Sequence, residues 1–236
     1  MHKKIYEVWE KGNLNFFWGD FFDSRFYIAH LLKNKHSEVL LDIGCGQGIL
    51  SYFSSSSFKI GVDNSSSSLK NAKELDPKMQ LIQCDVRFLP FKNNYFKLIL
   101  AVQIISAIGN KHNRLLLCNE IKRIAHKKCE IIIAGANRQS KYYKKNYSDE
   151  ERNSYLHYTE LFDFFKQDFK INVEGYGPYS KFIMYPFKII YKLPDSISKF
   201  LKLDEFMYGF LRSKKFLKDG RSYVMMCTRK DLIVKR

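Results

Sequence analysis

Three glycines at alternate positions constrain this chain most: Leu41-Asp42-Ile43-Gly44-Cys45-Gly46-Gln47-Gly48, directly behind the apolar start of a predicted strand. Glycine tolerates backbone conformations in which a Cβ would clash, so this spacing predicts a tight turn that brings main chain close to a ligand. The run ends a buried strand, Val39–Ile43, and leads into a helix start at Ile49–Phe53. The glycine spacing is G-x-G-x-G. The nicotinamide dinucleotide fingerprint is G-x-G-x-x-G, so the loop reads as a ligand-binding turn of another kind.

Further strands follow in order. Phe58–Val62, Met79–Cys84, Phe96–Val102 and Glu130–Ala134 are short and apolar, with little alternation, which suits strands buried on both faces of a parallel sheet. Between them, Leu69, Ala72 and Leu75 recur at helical spacing behind a cap at Ser65 or Ser66, and Leu115, Leu116, Ile121, Ile124 and Ala125 mark a second helix. Phe21, Phe22, Phe26, Ile28, Ala29 and Leu32 predict a leading helix, Glu151–Phe169 a late one, and Ile171–Tyr176 and Ser222–Thr228 two closing strands. Strand–helix alternation of this kind predicts a doubly wound α/β sheet.

Acids punctuate the strand ends. Asp42 ends the first strand, Asp63 the second, and Asp85 the third. In Rossmann-like folds an acid about 20 residues beyond the glycine turn bonds ribose hydroxyls. Three acids at successive carboxyl ends converge on the crevice where such sheets bind ligands.

Here the chain resembles the class I S-adenosylmethionine (SAM)-dependent methyltransferases, over roughly residues 38–135. The likeness is carried by Leu40–Gly48, Val62–Ser65, Gln83–Phe91, Asn93–Val102 and Glu120–Asn137. Lys97 stands where the family often has Asp. The resemblance implies SAM as cofactor and a Rossmann-like, doubly wound, mostly parallel sheet of about seven strands with an antiparallel last strand. It implies one domain: N-terminal lid helices at 1–37, a SAM-binding core at 38–176, a helical cap insertion at 177–220, and a final strand and tail at 221–236. By position, Asp42 and the turn Gly44, Cys45, Gly46 and Gly48 hold the methionine end. Asp63 holds the ribose hydroxyls with Asn64 beside the adenine, Asp85 accepts from the adenine amino group, and Val86 packs on its ring. Ala101, Val102 and Gln103 lie just past strand four, close to the transferred methyl.

The acceptor is less constrained. Enzymes that methylate exocyclic base nitrogens carry an Asn/Asp-Pro-Pro-aromatic motif after strand four, and Val102–Ser106 is apolar and lacks proline. This disfavours the base-nitrogen class but not other RNA or protein methylation, and the leading expectation is a small-molecule or lipid-like acceptor. An RNA acceptor, or a SAM-binding protein without catalysis, is the alternative. His112, His157 and Tyr158 are the candidate proton acceptors, the histidines reading more readily as surface or core residues and the tyrosine as well as a packing residue. Tyr142, Tyr143 and Tyr155 are candidates to line the pocket with Tyr158.

Charge supports two readings of the C-terminal quarter. The chain carries 40 Lys and Arg against 24 Asp and Glu, a net +16 concentrated toward residues 177–236. That field attracts nucleic acid, anionic membrane or an acidic substrate, or else only keeps the surface solvated. Within the insertion, Phe182–Leu193 is an apolar stretch flanked by Lys181, Lys188 and Lys192, which fits either a cap packed on the core or a face resting on lipid. Trp9, Phe16, Phe17, Trp18 and Phe21 fit a lid over the cofactor. The five scattered cysteines show no metal-ligand spacing, and neither a signal-type apolar core nor a run of about 20 apolar residues is present, so a reducing, cytoplasmic setting is expected. The sequence leaves the oligomeric state open.

Overall fold

The computed structural model describes residues 24–146, 148–150, 156–176, 212–213 and 222–230. Its core is one sheet of eight strands: β1 (Val39–Ile43), β2 (Phe58–Asp63), β3 (Gln80–Gln83), β4 (Phe96–Val102), β5 (Ala125–Ala136), β6 (Phe169–Tyr176), β7 (Arg212–Ser213) and β8 (Ser222–Arg229). Their spatial order is β3-β2-β1-β4-β5-β8-β6-β7. The first five are parallel, and β8 runs antiparallel between β5 and β6. This is the expected Rossmann-like sheet with one addition: two residues of the predicted helical insertion form β7, antiparallel to β6 at Gly175 and Tyr176. The direction of winding reverses between β1 and β4, which opens a crevice at their carboxyl ends.

Helices cover both faces. On one lies α1 (Ser24–Asn34), whose Tyr27, Ile28, Ala29 and Leu32 are buried with Leu40, Leu100, Ile132 and Val224. The short α2 (Ile49–Tyr52) adds Leu50 to the same cluster. On the opposite face lie α5 (Lys111–Ile124) and α7 (Tyr158–Phe165), closing over Leu41, Ile43, Ile99, Ile131 and Ile133. Each such aliphatic chain, once fully buried, contributes about 1.5–3 kcal/mol. The remaining helices are α3 (Ser66–Leu75), α4 (Ile104–Ala107) and α6 (Lys141–Asn146). Ser65 caps α3, its Oγ accepting the Ser68 N–H at 3.2 Å, as its sequence position suggested.

Three sequence readings are corrected. In α5 the apolar run 115–118 buries Leu117 and Cys118, with Leu115 and Leu116 only partly covered. Four consecutive apolar residues leave the helical phase ambiguous, and Ile121 and Ile124 decide it. Ala125 belongs to β5, which starts five residues earlier than its apolar run. There the register jumps from Phe96↔Ala125 to Leu98↔Glu130, and the irregular segment between exposes Lys127 and Lys128. The late helix is also shorter than expected: α7 ends at Phe165, residues 166–168 turn, and Phe169 opens β6.

Candidate active site

The glycine turn sits at the carboxyl end of β1, beside the switch point. All three glycines have positive φ: 68° at Gly44, 52° at Gly46 and 72° at Gly48. Their surroundings differ. A Cβ on Gly44 would lie 2.7 Å from the Ile104 side chain, so that glycine permits α4 to close on the turn. A Cβ on Gly46 would meet nothing within 4 Å, so the backbone there faces open space of the kind a ligand fills.

The turn's amides are held by protein acceptors. Gly44 N–H and Cys45 N–H donate to the Val62 carbonyl at 2.8 and 3.0 Å, and Gly48 N–H to the Cys45 carbonyl at 2.9 Å. Gly46 N–H donates to Asp63 Oδ2 at 2.9 Å. A dinucleotide loop points such amides at a pyrophosphate. With four of them bonded internally, this turn offers no comparable phosphate cradle, and it suits a cofactor without phosphate.

The acids behave differently from one another. Asp63 lies at the end of β2 with both oxygens engaged, Oδ1 accepting the Ser65 N–H at 2.9 Å, and it remains partly exposed. A carboxylate has about four acceptor positions, so positions remain for hydroxyl donors. Asp42 is buried, and Ser51 Oγ donates to its Oδ2 at 2.6 Å. Burial pushes its carboxyl up to about 6, opposed by the Ser51 hydrogen bond and reinforced by the negative charge of Asp63. Asp85 stands beyond the end of β3 and is gripped by Arg87. The guanidinium donates through Nε at 3.0 Å to Oδ1 and 2.9 Å to Oδ2, and through Nη2 at 2.5 Å to Oδ2. These bonds hold the Asp85 carboxyl below its ordinary range. Arg87 Nη1 also donates to Asn113 Oδ1 at 3.1 Å, tying this loop to the first turn of α5.

The other sequence candidates are placed as follows. Cys45 packs its side chain with Leu69 and Met79, and burial pushes its thiol up. Val86 is buried in the core beside β4, and Asn64 is exposed while its carbonyl accepts from Gln83 Nε2 at 3.0 Å. Ala101 and Val102 lie within β4, not past it. Their side chains face opposite core clusters. Gln103 is the first residue out, with φ 62°, its N–H donating to the Ala134 carbonyl at 2.7 Å. His112 is exposed on α5, and His157 precedes α7, its N–H donating to Glu160 Oε2 at 2.9 Å. Tyr158 packs its ring against Tyr223 at 5.8 Å. Tyr155, residues 1–23 and all of 177–220 except 212–213 lie outside the described residues, as do the side chains of Tyr142 and Tyr143.

Sequence reasoning missed Ser51, Gly61, Arg87 and Arg123. Gly61 had a signal, since a glycine inside an apolar strand marks a close approach. A Cβ there would lie 2.8 Å from Cys45 Sγ. Arg123 on α5 had none. It pairs with Glu120 and donates to the Leu89 and Phe91 carbonyls at 3.0 and 2.6 Å, while Glu120 Oε2 accepts the Leu89 N–H at 2.7 Å.

Comparison with known proteins agrees with this geometry. Residues 34–176 match the family described as a methyltransferase domain, well over half of the chain. The chain belongs to this family. Among curated proteins, a Methanocaldococcus jannaschii protein described as uncharacterised is 29% identical over 146 residues, covering 58% of this chain and 62% of that relative. Among solved structures, a Thermotoga maritima SAM-dependent methyltransferase, described as a possible histamine N-methyltransferase, superposes with a TM-score of 0.61 at 17% identity. It covers 96% of this chain and 99% of its own. The plantazolicin methyltransferase BpumL, solved in complex with SAH, gives 0.56 at 18% identity over 96% and 90%. At these identities the superpositions speak for the fold. The fold and the family are thereby in place.

Proposed function

We propose that the protein transfers the methyl group of SAM to a small-molecule or lipid-like acceptor. The observation that carries the cofactor half of this reading is the internally bonded turn with open space above Gly46, which suits an unphosphorylated end of a cofactor. Asp63 holds the ribose hydroxyls through its remaining acceptor positions, Asp85 takes the adenine amino group while Arg87 fixes its rotamer, and the main chain at Gly44–Gly46 holds the methionine end. SAM supplies a methyl on a positive sulfonium, open to in-line displacement.

What the chain then contributes is positioning and exclusion of water. Gln103, emerging from β4 in a left-handed conformation, brings a polar side chain to the crevice, and Ile104 closes on Gly44 behind it. The apolar stretch after Gln103, without a proline pair, favours an acceptor other than an exocyclic base nitrogen. The names of two similar structures, a possible histamine N-methyltransferase and a plantazolicin methyltransferase, run in the same direction. No described helix is long and apolar enough to cross a membrane.

The test is transfer of tritium from methyl-labelled SAM into fractionated cell extract, with lipid, RNA, protein and small-molecule pools counted separately. Label in the small-molecule or lipid pool is the expected result. Label confined to RNA would replace the acceptor assignment, and none in any pool would remove the activity.

A further inference from the structure

At the end of the sheet away from the glycine turn, β5 enters through an irregular segment. Between Phe96↔Ala125 and Leu98↔Glu130, two steps along β4 correspond to five along β5, so residues 126–129 have no partner in that register. Lys127 and Lys128 within the segment are exposed. Lysines often blunt an open sheet edge, but β5 is an interior strand between β4 and β8, with no edge to protect. The residues leading into β4 lie beside it. Asn94 N–H donates to the Arg123 carbonyl at 3.0 Å, and Tyr95 N–H to the Ile124 carbonyl at 2.8 Å. Lys92 and Tyr95 are exposed, with the Lys92 ammonium 5.7 Å from the Tyr95 ring centroid.

We infer that this end of the sheet binds a single-stranded nucleic acid, with Lys92, Lys127 and Lys128 meeting phosphates and Tyr95 and Phe58 offering their rings to bases. Phe58 opens β2 and is 62% exposed, and Tyr95 is 45% exposed. Only β1 separates β2 from β4, and a strand spacing of about 4.8 Å sets the two aromatic positions about 10 Å apart. Exposed rings flanked by lysines are the arrangement that unpaired bases stack on while their phosphates are neutralised.

The positive charge here is not neutralised within the chain. Among the described residues, Lys92, Lys127 and Lys128 form no ion pair, whereas the acids of this end are each engaged by another cation. Glu38 is met by Lys97 at 3.6 Å, Glu120 by Arg123 at 2.6 Å and Asp168 by Lys122 at 2.8 Å. The three lysines therefore keep their field for an external anion. Contact with phosphates then gains from the release of condensed counterions.

The composition of the surface favours nucleic acid over other anionic partners. A membrane interface is met by aliphatic side chains among the lysines, and the exposed residues of 92–95 and 126–128 include none. An acidic protein would satisfy the lysines and leave the two rings without a use. The surface is also separate from the crevice. The glycine turn lies at the carboxyl ends of the strands and this surface at the start of β4, whose seven residues span about 20 Å. A strand bound here is held by the enzyme without being presented as its methyl acceptor.

The experiment is fluorescence anisotropy of a labelled single-stranded RNA of about 12 nucleotides with the full chain, between about 50 and about 200 mM salt. The duplex of the same sequence and phosphatidylserine vesicles are measured alongside. The variants are Lys127→Gln combined with Lys128→Gln, and Tyr95→Ser, all at exposed positions, with circular dichroism and melting temperature confirming that each is folded. The single strand should bind more tightly than the duplex. The double lysine variant should weaken it at least about tenfold and lower the salt slope by about 1.4, and Tyr95→Ser should weaken it at least about fivefold. No binding at about 50 mM salt overturns the inference, as does a double lysine variant that binds like wild type. Indifference to Tyr95→Ser, or a duplex bound as well as the single strand, overturns it by removing the stacked bases. Binding to vesicles without binding to RNA overturns it in favour of a membrane.

Discussion

Gly46 donates its backbone N–H to the Asp63 carboxylate at 2.9 Å, and this bond ties the turn after β1 to the end of β2. Asp63 thus has two tasks: it sets the shape of the glycine turn, and by the proposed reading it also receives the ribose. Asp63→Ala removes the acceptor of two backbone donors, Gly46 and Ser65, together with the ribose contact. Hydrogen bonds to a charged group are worth about 1.5–3 kcal/mol, so affinity for SAM and for its demethylated product should fall at least about tenfold. Calorimetry reads this, with NAD silent in both proteins. Unchanged affinity removes Asp63 from the cofactor site.

The glycines separate structure from binding. Gly44→Ala combines a left-handed backbone with contacts of 2.7 Å to Ile104, and should cost roughly 2–4 kcal/mol in stability. Gly46→Ala carries the backbone strain alone, roughly 1–2 kcal/mol, but puts a methyl into the open space above the turn. Melting temperature should therefore drop further for the first variant, and at Gly46 cofactor affinity should fall beyond what stability explains. The reverse order would mean that the open side of the turn is not where the ligand sits.

Asp42 gives stability a pH dependence of definite sign. Its folded carboxyl, raised from 3.8 to about 6, holds a proton more tightly than the unfolded chain does. The stability linked to that proton is fully present below 3.8 and is lost as pH rises through about 6. Asp42→Asn keeps an acceptor for Ser51 and removes the buried charge. Its melting temperature relative to wild type should rise between about pH 4 and about pH 7, by the equivalent of about 3 kcal/mol. The oppositely shifted Asp85, Glu120 and Glu160 are common to both proteins and cancel in the difference. A flat difference across that window would show that Asp42 is not buried as described.

Arg123 should matter more than its surface helix suggests. Arg123→Met leaves the Leu89 and Phe91 carbonyls and the Glu120 carboxylate without their shared donor. A loss of about 1–3 kcal/mol is expected in thermal or urea unfolding. Arg123→Lys should recover only part of it, because a single ammonium cannot span the acceptors that the planar fork reaches. Full recovery by lysine would reduce the role to charge alone.

The fold was legible because its signals are local. Continuous apolar runs marked β1 and β4, a serine marked the cap of α3, and glycine spacing marked the turn, all within windows of about ten residues. Readings failed where distant contacts decide. The phase of α5 depends on the sheet beneath it, and the start of β5 on its pairing with Phe96.

By itself, the sequence determined the kind of site: a glycine turn and three acids at successive strand ends, a pattern fixed by backbone conformation and strand order. Tertiary structure alone decided what those groups do. It bonded the turn's amides to Val62 and Asp63, buried Asp42 against Ser51, and closed Arg87 on Asp85. Hydrogen-bond partners and burial are properties of neighbours in space, and a linear pattern names the donors and acceptors without saying which of them meet.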